Sequence, residues 1–67
     1  MLEIYRKRFK SILQETTGRE CTLLLADLMT EMEGYYKIPV INKARFESEI
    51  EQPVRELYLE ISNTREL

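Results

Sequence analysis

Four cations crowd the start of the chain, Arg6, Lys7, Arg8 and Lys10, with Tyr5 and Phe9 interleaved. Basic side chains beside aromatic rings are the combination that a phosphate backbone or an acidic lipid surface attracts. Helical placement weakens that reading. At about 100° per residue, Arg6 and Lys10 fall on one flank of the apolar stripe, Arg8 on the other and Lys7 opposite, so the four encircle the helix. Residues 20–33 carry Glu20, Asp27, Glu31 and Glu33 and no cation. If the first two segments fold back on each other, the basic start of one lies beside the acidic end of the other. Pairing within the fold or across a dimer is the preferred reading, each exposed pair contributing from a few tenths to about 1 kcal/mol. The net charge of −2 gives the whole chain no attraction for nucleic acid. Nucleic-acid binding through Arg6, Lys7, Arg8 and Lys10 is the alternative function.

Catalytic chemistry fails on inventory. Without a histidine there is no Ser-His-Asp or Cys-His arrangement, and two isolated glycines cannot form a phosphate-cradling loop. Cys21 is the sole cysteine, which excludes an intrachain disulfide and a thiolate-based metal site. It lies on an apolar stripe, where a small buried residue is the expected role. Asp27 and Glu31, and Glu47 and Glu51, stand four apart and share a helix face. Such pairs can bind a hard cation or divide acid and base roles; a solvated acidic face is the plainer reading. The expectation is no enzyme, no cofactor and no metal.

Binding chemistry concentrates in Tyr35-Tyr36-Lys37-Ile38-Pro39-Val40-Ile41. Tyrosine suits interfaces because its ring is apolar and its hydroxyl polar. Tyr35, Tyr36, Ile38 and Val40 are therefore the candidate partner-binding residues. The competing reading has Tyr35, Ile38 and Val40 plugging the open end of a small core. Ile4, Leu23 and Leu59 lie off the apolar stripes and would form a contact patch if the fold brought them together.

The elements that must position these residues are helical. Leu2, Tyr5, Phe9, Ile12 and Leu13 recur at three- and four-residue steps, predicting a first helix over about 2–16. Gly18 offers the positive φ that commonly ends a helix. Thr17-Gly18-Arg19-Glu20 has the form of a capping box opening a second helix over about 19–34, closed by Gly34. Its stripe is Cys21, Leu24, Leu25, Leu28, Met29, Met32, Tyr35 and Tyr36. So short a link forces an antiparallel hairpin. Residues 35–42 follow as an extended apolar strap, because Pro39 keeps Ile38 out of the helical region. Asn42 is the expected N-cap of a last helical region over about 43–63, carrying Phe46, Ile50, Val54, Leu57, Tyr58 and Ile61. Pro53 breaks or kinks it, into pieces near 43–51 and 53–63, and Thr64 to Leu67 fray.

The predicted fold is all-α, a small antiparallel hairpin plus a C-terminal helix, three to four helices in one domain over 1–67. A chain of 67 residues has a marginal core, so self-association as a dimer is the expected staple. No apolar run approaches a membrane span, and the N-terminus lacks the order of a signal peptide. An unpaired cysteine fits the reducing cytoplasm. The expected function is a helical interaction or regulatory module, a homodimer that acts by binding another protein.

Overall fold

A computed structural model describes residues 1–66. The chain is all-α, with four helices: α1 (Leu2–Glu15), α2 (Gly18–Tyr36), α3 (Lys43–Glu49) and α4 (Gln52–Glu66). No helix among the described residues is long and apolar enough to cross a membrane.

The link between α1 and α2 differs from the sequence expectation in its mechanics. α1 ends at Glu15, where Thr16 turns extended and closes the last turn twice. Its backbone N–H and its hydroxyl both donate to the Ile12 carbonyl, at 3.0 and 2.6 Å. Gly18 does adopt φ +63, but as the first residue of α2, so it opens the second helix. The capping box does not form: Thr17 makes no side-chain cap hydrogen bond. With Gly18 left-handed, the first-turn amides are not arranged around the Thr17 hydroxyl as they are when that turn is right-handed throughout.

α2 also runs past its expected end. Gly34 lies inside the helix, and the turn into the strap is made by Lys37, at φ 55 and ψ 51. The Lys37 and Ile38 amides both donate to the Glu33 carbonyl, a Schellman-like closure that needs no glycine at the left-handed position. Tyr35 and Tyr36 therefore belong to α2, and the strap shortens to residues 37–42. Tyr36 packs against the core, so an apolar contact holds the helix together through a glycine that favours fraying.

Asn42 caps α3 as expected, its side-chain oxygen accepting from the Arg45 amide at 3.1 Å. The last helical region is broken, not kinked: Ile50 is extended (φ −102, ψ 131), and Pro53 sits in the first turn of α4, where its missing N–H is harmless. α4 continues through Thr64, whose hydroxyl donates to the Glu60 carbonyl at 2.8 Å, to Glu66, so the expected fraying of residues 64–66 is not seen. Leu67 lies outside the described residues.

The helices share one core of Tyr5, Phe9, Leu25, Leu28, Met29, Met32, Ile38, Phe46, Ile50, Val54, Leu57, Tyr58 and Ile61. α1 and α2 are antiparallel: Tyr5 meets Tyr35 and Tyr36, and Arg8 pairs with Glu31. α4 begins beside Tyr36 and reaches Glu33 by Tyr58, so it returns along α2 in the opposite sense. All six predicted stripe residues of α3 and α4 are buried, whereas Leu13 and Tyr35 are exposed members of theirs. In so small a bundle, the margins of each stripe stay wet.

Candidate functional site

The structure divides the four expected partner-binding residues. Tyr35 and Tyr36 stack edge-to-face, centroids 4.9 Å apart, and both meet the Tyr5 ring at 6.1 and 6.0 Å. This aromatic cluster fastens the end of α2 to the start of α1. Burial, together with Tyr35, Tyr5 and Glu51 nearby, raises the Tyr36 phenol above its ordinary range. Ile38 and Val40 belong to a different surface. Ile38 is 7% exposed and part of the core, whereas Val40 is 58% exposed. Of the three residues expected to plug the core's open end, only Ile38 does so.

The surface that carries Val40 is a cleft of about 730 Å³ between the strap, α3 and α4. Ile38, Pro39, Phe46 and Tyr58 line it, with Leu59 from α4. Three charged residues stand around it, Lys43 and Glu47 of α3 and Arg55 of α4. Arg55 is already engaged, donating to the Glu47 backbone carbonyl and so tying α4 to α3. Beside the cleft, Ile41 is 98% exposed. It immediately precedes the N-cap of α3, the position from which an apolar residue often folds onto the fourth residue of its own helix, here Phe46. Ile41 does not make that contact.

Sequence reasoning missed Ile41, Lys43, Glu47 and Arg55 as parts of one surface. Ile41 was legible as the end of an apolar run, but its exposure depends on which way Pro39 and Val40 turn the strap. Leu59 joins this cleft, Ile4 lines a groove between α1 and α2, and Leu23 lines neither, so the three off-stripe residues do not form one patch.

The α1–α2 groove, about 670 Å³, gathers the charges. Arg8 pairs with Glu31 across it, as the antiparallel hairpin predicts. Lys7 lines the same groove with Glu15 and Asp27. Arg6 and Lys10 are exposed and do not line it, so the basic cluster is not one continuous patch. Cys21 is half-buried against the core. Among the described residues, no three acidic or cysteine side chains come together as a metal site.

The described residues form a small all-α protein of four helices, with a cleft between the strap, α3 and α4 close in the chain to an exposed isoleucine. The chain matches no protein-family model, no curated protein and no solved structure.

Proposed function

We propose that the chain is a helical protein-interaction module that binds through the face made by the strap, α3 and α4. The observation that carries this reading is the exposure of Val40 and Leu59, at 58 and 49%, on the lining of one cleft, with Ile41, 98% exposed, following Val40 in the chain. Isolated exposed aliphatics are ordinary on a protein surface; several gathered around a concave apolar floor mark a binding site. The catalytic inventory supports a non-enzymatic role, and the free Cys21 thiol suits a reducing compartment such as the cytoplasm. The nucleic-acid alternative draws less support, because Arg8 is paired and Lys7 shares its groove with carboxylates.

Capture by the immobilised chain tests the reading. Val40→Asp and Leu59→Asp are expected to abolish binding of protein partners, the chain's own copies included. Leu23→Asp, at an equally exposed position that lines neither groove, is expected to leave it intact. Binding that survives both cleft substitutions in a folded protein overturns the assignment. A mobility shift with mixed DNA and RNA at about 50 mM salt, where electrostatic binding is strong, would instead favour the basic cluster.

A further inference from the structure

The chain exposes more surface than its mass requires: 4954 Å² for 8.0 kDa, against about 4,450 Å² for an average folded monomer of that size. Its most exposed large apolar side chain among the described residues, Ile41, follows Val40, which lines the cleft between the strap, α3 and α4. A protrusion and a cavity on the same face cannot fill each other within one chain. They can do so between two copies related by a two-fold axis, which brings the same patch of each subunit together.

The charges of α3 point the same way. Lys43 and Glu47 both line the cleft, four residues apart and so on one face of the helix. Neither side chain forms an ion pair within the chain among the described residues, while the neighbouring Arg45 and Glu49 are already paired at 2.7 Å. Lys43 and Glu47 also oppose the dipole of their own helix. α3 has no acid in its first turn and no base in its last, the reverse of the favourable arrangement. That placement serves no purpose in the isolated helix. Against an antiparallel copy of α3 it sets Lys43 opposite the other copy's Glu47 at both ends of the seam.

Resting on the reading of this face as a binding surface, we propose that its occupant is a second copy of this chain. The two copies lay α3 antiparallel on α3, and each seats its Ile41 in the other's cleft. Lys43 and Glu47 set the register and exclude the parallel arrangement, in which like charges meet.

Charge reversal tests this in solution, with the dimer dissociation constant read by sedimentation equilibrium. The unsubstituted chain is expected to sediment at twice its 8.0 kDa chain mass. Lys43→Glu and Glu47→Lys are each expected to weaken the dimer about tenfold or more, since each turns both cross-copy pairs into repulsions. The doubly reversed chain regains dimerisation. So does an equimolar mixture of the two single variants, as a heterodimer. Each reversal favours the dipole of α3, so loss of the dimer is not loss of the helix. Ile41→Asp is expected to give a monomer with an unchanged circular dichroism spectrum.

A monomeric unsubstituted chain, or a dimer that ignores the reversals or is not restored by combining them, overturns the proposal. If that monomer still captures a different protein in a manner abolished by Val40→Asp and Leu59→Asp, the interaction reading stands and only the second copy falls. If it captures nothing, both fall.

Discussion

The Tyr58 hydroxyl donates a 2.6 Å hydrogen bond to the Glu33 carboxylate, tying the middle of α4 to the last turns of α2. Burial of the ring, then this bond and the negative charge of Glu33, push the Tyr58 phenol far above its ordinary value of 10.0. Tyr58 also packs on Phe46, with centroids 5.8 Å apart, so one side chain joins α2, α3 and α4.

Tyr58→Phe should cost about 1 kcal/mol, less than the ~1.5–3 kcal/mol typical of a bond to a charged group, because Glu33 is only half-buried. For a domain of this size that lowers Tm by about 4–8 °C. The pH dependence has a definite sign. The unfolded phenol loses its proton near pH 10, about the model-peptide value, while the folded one keeps it. Above that pH the native state binds more protons than the unfolded state, so stability falls as pH rises. The contribution is complete below about pH 10 and is lost toward the raised folded-state value. Urea midpoints followed into the alkaline range should decline less steeply in Tyr58→Phe. An identical decline in both proteins would remove Tyr58 as the cause.

The two glycines should respond oppositely to alanine. Gly34 is helical, in the last turn of α2, with nothing near an added Cβ, so Gly34→Ala should stabilise by about 0.5–1 kcal/mol. Gly18 has equal space but φ +63. Gly18→Ala should destabilise by about 1–2 kcal/mol, the cost of holding an L-residue left-handed. Thermal melts of the two variants check both signs at once.

Ile38 and Val40 are two residues apart and should behave differently. Ile38→Asp places an unpaired charge in the core, at a cost of several kcal/mol or about the whole stability of a small domain. Measured at a concentration too low for self-association, Val40→Asp should leave the melt within about 0.5 kcal/mol of the parent. Circular dichroism at room temperature should already show Ile38→Asp unfolded. A folded Ile38→Asp protein would mean the strap can leave the core.

Asn42→Ala removes the acceptor of the Arg45 amide and should cost about 0.5–2 kcal/mol. Because α3 is only seven residues long, the loss should be local. Hydrogen exchange at Arg45 should accelerate in Asn42→Ala, with α2 little changed, and Asn42→Asp should preserve protection.

Much of this architecture was legible along the chain. Apolar residues at three- and four-residue steps placed all the helical segments, since such a repeat has only one face to bury. Asn42 and Pro53 marked boundaries by backbone chemistry that acts on immediate neighbours. The errors share a cause. Gly34 and the Thr17–Glu20 box were judged on local preference, but Tyr36 packing against the core carries α2 beyond Gly34, and the left-handed Gly18 undoes the box.

Side-chain meetings across the bundle are another matter. That Tyr58 reaches Glu33, that Tyr35 and Tyr36 leave the strap to join Tyr5, and that Ile41 stands exposed beside a cleft edged by Lys43 and Glu47 depend on how helices cross. A periodic stripe states which side of a helix turns inward. It does not state which residue of another helix, some 25 positions away, will be opposite. Only the tertiary packing decided that, because a shift of one residue in the contact of α4 on α2 would leave every stripe intact and change every pair.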